Sequence, residues 1–464
     1  MNFSQFVIRA FCLASLACHA HAGSQSAQLS GDWLGARPAL SARGIEFSAN
    51  YKGEIFGIAS GGLARGTVYD GLVALEVNLD FQKLAGWQGL TTHTSFYYPH
   101  GTSGTAQYAG DLGTFSNIDF YDSFRLFEAW AQQDFFNGKL SLRAGILAID
   151  SEFAVGGTEY SAFFMNSGFG ADIAMSGNVP SPIYAIAALG VRLRFKPTDQ
   201  LSLMAAAYDG NPAPGVLGDP TPGAAASNES NHHGTQWALR PDEGALLAFE
   251  IAYSRNPPEE EQSDGKSDGK AAAKEAQPER PLDGIYTLGV IYHTDRFADT
   301  RQITYSNLGS SLAPANVGSH RGDYGIYSTI NQQLWRSSNG GPKKLGGFLR
   351  AMWAPQDRNF FGFAAETGLV YHGLIAGRDK DQLGIGFAYA SISRQSESAT
   401  RSANSADATH RPLPDFESVI ELSYKASLTH AITLQPDIQY IIHPSGTDSV
   451  QNALVIGMRV ELVF

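Results

Sequence analysis

The chain ends Leu454-Val455-Ile456-Gly457-Met458-Arg459-Val460-Glu461-Leu462-Val463-Phe464, and this stretch decides the fold class. Every even-numbered position in it is apolar, while the odd-numbered positions are small, charged or neutral by turns. Successive side chains on a strand point to opposite faces, so the segment has one continuous oily face and one mixed face. The two segments before it repeat the pattern. Ile420, Leu422, Tyr424, Ala426 and Leu428 alternate with Val419, Glu421, Ser423, Lys425 and Ser427. Leu434, Ile438, Tyr440 and Ile442 alternate with Gln435, Asp437 and Gln439. A face carrying a charge on every strand is not a packed core. Strands with an apolar outside and a polar inside are what a barrel in lipid requires.

Composition agrees. A chain of 464 residues with 43% hydrophobic and 17% charged residues could hold two or three soluble domains or one large barrel. Its 50 Gly, 19 Tyr and 27 Phe suit strands, tight turns and aromatic girdles. A formal net charge of -12 argues against a nucleic-acid binder or an anionic-surface binder. Beyond the N-terminus there is no run of 18 apolar residues, so helical membrane spans are excluded. In hydrocarbon every backbone amide needs a partner within the protein, and strands achieve this only by closing on themselves.

Arg9, the apolar run 10–17 and Ala20-His21-Ala22 read as a signal peptide covering 1–22. Both cysteines, Cys12 and Cys18, fall within it, so a chain cut after Ala22 has no thiol and no disulfide. Residues 23–44 form a periplasmic N-terminal segment with a short helix that ends at Gly44, the expected left-handed cap. Residues 45–464 form the barrel. Its first strand alternates Ile45, Phe47, Ala49 and Tyr51 with polar neighbours. The second runs from Val73 to Phe81 and the third ends at Tyr97-Tyr98. Short turns near Asn137-Gly138, 197–199, 336–344, 376–381 and Thr429-His430 alternate with long polar loops at 100–120, 150–182, 209–244, 296–322 and 394–416. Short turns on one side and long loops on the other give an antiparallel, all-β transmembrane barrel of about 16 strands. The segments near Tyr324 and Phe361 are the least regular. The stretch 257–281, with Glu259-Glu260-Glu261 and two Ser-Asp-Gly-Lys units, has the composition of a disordered periplasmic insert.

Aromatic pairs at Tyr97-Tyr98, Phe120-Tyr121, Phe135-Phe136 and Phe360-Phe361 sit at expected strand ends, where a girdle belongs. A barrel of this size leaves an aqueous lumen. Alternation points Glu76, Glu128, Trp130, Gln132, Arg143, Arg192 and Arg194 into it. It does the same for Arg350, Glu366, Glu421, Lys425, Asp437, Arg459 and Glu461. Each reads either as a solvated charge that shapes the wall or as a contact for solute. The loop 150–182 carries Phe153, Tyr160, Phe163-Phe164 and Phe169, too many rings for a purely extracellular loop, and is expected to fold into the lumen and narrow it; a loop covering the barrel mouth or a trimer contact is the alternative.

Three blocks carry a resemblance. They are the opening Gly31-Asp32-Trp33-Leu34-Gly35-Ala36-Arg37 through Gly44, the pair of segments from Arg125 through Trp130 and from Asn137 through Gly145 with Asp150-Ser151-Glu152-Phe153, and the ending from Val419 through Tyr424 with Leu434 through Pro444. Together they resemble the carbohydrate-selective outer-membrane porins of the OprB type over nearly the whole mature chain. The resemblance implies a 16-stranded barrel in the outer membrane of a Gram-negative bacterium, passing sugars by passive diffusion, with arginines and acidic groups at the narrow point. On that basis the candidate solute contacts are Arg125, Glu128, Trp130, Arg143, Glu152, Arg192, Arg194 and Arg459. Guanidinium and carboxylate groups hydrogen-bond hydroxyls, and an aromatic face packs on a pyranose. The expected partners are sugars, outer-membrane lipid and the barrel-assembly machinery that reads the strand ending in Phe464. The assembly is a monomer or a homotrimer. No cofactor and no metal is expected. His232-His233 with His293, His320 or His372 lacks ligand spacing. A general porin for small polar solutes is the alternative. A barrel enzyme would need a nucleophile and base at the rim, and no G-x-S-x-G or H-E-x-x-H occurs.

Overall fold

The computed structural model describes residues 28–155, 160–170, 173–212, 231–235, 237, 239–256, 282–337 and 341–464. The expected signal peptide and the insert 257–281 lie outside the described residues. Among those residues, sixteen antiparallel strands close into one barrel. The first eight are β1 (Ile45–Gly62), β2 (Thr67–Asp80), β3 (Leu90–Gly101), β4 (Arg125–Phe135), β5 (Leu140–Leu147), β6 (Ala188–Phe195), β7 (Leu201–Asp209) and β8 (Ala245–Arg255). The rest are β9 (Gly284–Ala298), β10 (Ser319–Arg336), β11 (Lys344–Trp353), β12 (Phe361–His372), β13 (Gln382–Ile392), β14 (Phe416–Ser427), β15 (Ile432–Ile442) and β16 (Gln451–Val463). Each strand pairs with its sequence neighbours, and β16 closes the ring on β1, with Tyr51 opposite Leu462 and Ile55 opposite Met458.

The alternation read from the C-terminal stretch is the wall of the barrel. Ile456 and Met458 are exposed on the outside, whereas Ala453, Val455 and Arg459 are buried on the inside. Ile420, Leu422, Ile438 and Tyr440 continue the outer apolar face onto β14 and β15. The two irregular segments are strands broken by bulges. The pairing register shifts between Arg321 and Asp323 on β10 and between Phe361 and Phe363 on β12, and each shift breaks the two-residue period.

Four expectations are corrected. Phe81 does not end β2; it starts a one-turn helix, α2 (Phe81–Ala85), because the Asp80 carboxylate accepts the N–H groups of Gln82 and Lys83 and caps it there. The first helix, α1 (Ala36–Ala42), does end as expected, with Gly44 at φ 86°. β1 and β3 run on past their expected ends to Gly62 and Gly101. The polar stretch 394–416 holds a helix, α4 (Arg394–Asp407), capped by Ser393 and packed against α3 (Thr300–Asn307) over the extracellular end. Its buried face is only Ser396, Ala399, Thr400 and Ala403, too weak an apolar stripe to stand out in sequence. Phe135-Phe136 has both rings exposed at the end of β4, but the other aromatic pairs are not a girdle as pairs, since adjacent strand residues face opposite ways. Tyr98 points outward, but Tyr97 stacks inside on Phe127, Phe361 is buried, and Phe120 and Tyr121 belong to a loop. The outer rings are instead cross-strand pairs such as Trp335 with Tyr371, Tyr253 with Tyr286, and Tyr324 with Trp353.

Met458 lies mid-strand on the lipid face. Met458→Arg is expected to cost about 2–4 kcal/mol of folding stability in a bilayer. Urea unfolding in lipid vesicles, compared with Met458→Leu, measures it; an unchanged midpoint would show that this face does not meet hydrocarbon.

Candidate functional site

Two loops enter the lumen and define its narrow part. The loop after β5 folds inward as expected. Phe153, Phe163, Phe164, Met165 and Phe169 are all buried, and its backbone is held by side chains on the inner wall. The Glu421 carboxylate accepts the N–H groups of Met165 and Asn166 at 2.7 and 2.9 Å. Glu250 accepts the Ala154 N–H at 2.9 Å and the Tyr327 hydroxyl at 2.7 Å. Arg350 donates to the carbonyls of Ala154, Phe169 and Gly170 while its other edge pairs with Glu366 at 3.0 Å. The rings fill slots over wall glycines. A methyl group added at Gly386 would lie 2.8 Å from ring atoms of both Phe164 and Phe169. A Cβ at Gly346 would collide with Tyr160, and one at Gly384 with Phe163.

The second inward loop, after β3, was read from sequence as a long polar loop and no more. Phe115 and Ile118 are buried inside the barrel, and Phe56 and Phe115 meet edge to face. Gln439 donates to the Phe115 carbonyl at 2.8 Å, and Glu417 accepts the N–H groups of Leu112 and Gly113 at 2.8 Å. The two loops bond to each other through Asn117 N–H to the Met165 carbonyl and Ser167 N–H to the Thr114 carbonyl. The signal for this loop was present in the isolated apolar residues Leu112, Phe115 and Ile118 among polar ones.

This arrangement corrects the reading of Arg350, Glu366, Glu421 and Asp437. They point inward, but all four are buried, and the first three hold or support the inserted loop. The candidate contacts separate into three groups. The largest spans β3 to β6. Arg143 and Arg192 stand opposite each other in register on β5 and β6 and share Glu152, at 3.3 and 2.6 Å. Both also donate to the Gln132 side-chain oxygen, at 3.0 and 2.9 Å, and Arg192 reaches the Ser141 hydroxyl at 2.9 Å. The Arg143 guanidinium lies 3.7 Å from the Trp130 ring centroid, and His93 on β3 stacks on the same indole at 5.1 Å. His93 in turn bonds Asn78 on β2 at 2.8 Å. Arg194 follows on the same face of β6, opposite Ser141.

Glu128 belongs to the base of the loop: it accepts the Ala148 N–H at 2.9 Å and the Ser151 hydroxyl at 3.2 Å. Beside it Asp150 accepts the Tyr184 N–H at 3.0 Å, and burial pushes its carboxyl up to about 6 against that bond. Arg459 stands in a second group, paired with Glu54 on β1 and bonded to Asn117 of the loop after β3. Glu54 is not singled out by the sequence pattern, although it stands directly opposite Arg459 in the pairing of β1 with β16. Arg125 stands in a third, near the outer end of β4. It donates to the Tyr121 hydroxyl at 2.8 Å and lies over the Phe120 and Tyr121 rings, buried.

Buried Arg125, Arg192 and Arg459 therefore act as struts. Arg143 and Glu152, each with 14% of its side chain open, and the half-buried Trp130 keep a surface toward the lumen. Below them Lys425 and Glu461 pair at 3.2 Å with more exposure, on the face that continues to the short-turn side.

Residues 64–464 match the family described as carbohydrate-selective porin, OprB family. Porin B of Pseudomonas aeruginosa is 25% identical, over 99% of this chain and 96% of that protein. The putative porin QuiX of Acinetobacter baylyi is 22% identical over 94% of this chain and 93% of its own length. The high-pH structure of Pseudomonas putida OprB has the same fold, with a TM-score of 0.80 at 22% identity, covering 96% of this chain and all of that one.

Glu421→Ala would leave two buried N–H groups of the inserted loop without an acceptor, each costing about 1–3 kcal/mol. The loop is expected to loosen while the barrel stays closed. Single-channel conductance should rise, and proteolysis within 150–182 should speed up, with strand content unchanged. Unaltered conductance would mean that the loop does not limit the pore.

Proposed function

The chain belongs to the OprB family of carbohydrate-selective porins, a sugar-selective channel of the Gram-negative outer membrane, and from that premise we propose how its lumen handles sugars. The solute path runs between the inserted loops and the inner face of β3 to β6. The observation that carries this is the Arg143–Glu152–Arg192 network. It combines donors and acceptors at fixed spacing, is braced by Gln132 and Ser141, and stays partly open to the lumen.

A sugar brings hydroxyls that both donate and accept. Arg143 supplies N–H donors and Glu152 supplies acceptors, so water lost from the sugar is replaced by bonds of similar kind. Glu152 is shared by the two arginines and offsets part of their charge, which weakens the field a neutral solute meets and leaves it free to move on. Conduction needs this balance of entry and release. Trp130 contributes differently from a free platform. Its strand lies between β3 and β5, with His93 on one side and Arg143 on the other, so its ring is sandwiched and offers an edge. The ring's main effect is to hold Arg143 in place.

Arg194, Arg459, Glu128 and Arg125 are proposed to act on selectivity through the shape of the wall rather than by touching the solute. Phe464, at the short-turn end of β16, is proposed as the residue that barrel-assembly machinery reads.

In planar bilayers graded sugars should block single-channel current, and Arg143→Ala should change that block with little loss of folding. A protein that gives no conductance would overturn the channel mechanism. Block identical to the parent would remove Arg143 from the solute path.

A further inference from the structure

The segment before β1 carries a feature that transport does not use. Trp33 and Leu34 both adopt left-handed backbone angles, φ 55° and 59°, between Gly31 and Gly35 at 67° and 87°. Two consecutive non-glycine residues in this region are unfavourable, and such outliers persist where the surroundings require them. The strain displays an apolar side chain. Leu34 is wholly exposed, at 103%, and Leu29 and Trp33 are exposed beside it.

The surroundings show where this display points. Trp33 packs on Phe47, 6.2 Å between centroids. Phe47 lies near the start of β1 and is exposed on the outer face. The patch is therefore continuous with the belt of the barrel that meets lipid, at its short-turn rim. The same segment is clasped to the seam where the barrel closes. Leu29 N–H donates to the Val463 carbonyl at 2.9 Å, and Arg37 donates to Phe464 O at 3.1 Å and to the Ser30 hydroxyl at 3.1 Å. The Arg37 guanidinium also covers the Trp33 ring at 4.4 Å.

We infer that residues 28–37 form an interfacial anchor that seats Leu34 and the Trp33 edge in the inner leaflet of the outer membrane, next to the β1–β16 seam. Its occupant is phospholipid at the boundary between headgroup and acyl chain, where an indole and an adjacent aliphatic side chain partition well and a neighbouring arginine stays at headgroup level. The strained turn keeps Leu34 from folding back onto the protein, and Arg37 couples the anchor to the last residue of the closing strand.

The test uses the full chain with Cys12 and Cys18, its two cysteines, replaced by Ser. Leu34→Cys carries a solvent-sensitive fluorophore in vesicles, and Ser398→Cys on the outward helix α4 serves as the water-exposed control. The label at 34 should emit at shorter wavelength than the control and lose most of its intensity to a spin label placed high on the lipid acyl chain. Emission matching the control overturns the inference. So does a shifted emission that the lipid quencher does not touch, because a protein surface rather than lipid would then cover the residue.

Discussion

The lumen depends on one repeated interaction: a glutamate on the inner wall accepting backbone N–H groups from an inserted loop. Glu128 takes Ala148, Glu250 takes Ala154, Glu421 takes Met165 and Asn166, and Glu417 takes Leu112, Gly113 and Ser445. A loop brought inside a barrel leaves bulk water but has no strand partner for its amides, and an unpaired buried amide is costly. A carboxylate has two oxygens and can take two or three such donors, in bonds stronger than neutral ones. Each glutamate thus removes two problems together, the orphan amides of the loop and its own burial.

The apolar half of the docking follows the same economy of shape. Strands placed side by side leave no room for a ring unless the wall withdraws, and it does so at glycines. Gly346, Gly368, Gly384 and Gly386 make the recesses that Tyr160, Phe163, Phe164 and Phe169 fill. The loop is held both by charge-assisted bonds, which fix its backbone, and by rings seated on bare wall, which fix its height above the strands. This is why a loop rich in phenylalanine can sit in a polar lumen. Its rings face the wall and its polar edges face the water.

The barrel itself was legible from residues. The even-numbered face ending at Phe464, the parity of turns and loops, and the N-terminal helix closed by Gly44 all follow from local rules of alternation and capping. Phe153 through Phe169 announced an inward loop because that many rings have no place in water. The residue register between β16 and β1 and the fate of individual lumen charges were not legible. Alternation tells only which face a residue is on, and Glu421 and Glu461 look alike by that rule. What separates them is whether a loop lies over them, a contact more than two hundred residues away in the chain. Glu54 escaped notice because it is an acid at the middle of a strand whose partner, Arg459, is on the last strand. Trp130 was correctly placed on the inner face, yet its sandwiching by β3 and β5 could not be seen without the register.

These contacts bear on selectivity. A lumen of many charges would ordinarily favour ions over neutral solutes, since each fixed charge draws counter-ions. Here most charges are withdrawn from the water, as Arg350 with Glu366, Arg459 with Glu54 and Arg192 with Glu152 show. What stays open is the edge of the Arg143–Glu152 pair, flanked by an aromatic edge, and the more exposed Lys425–Glu461 pair nearer the short turns. Such a surface offers donors and acceptors that a neutral polyol can use, in a field that Glu152, shared between two arginines, reduces but does not cancel. Many of the charged side chains that build the wall therefore do their work buried, as props for the inserted loops and for one another.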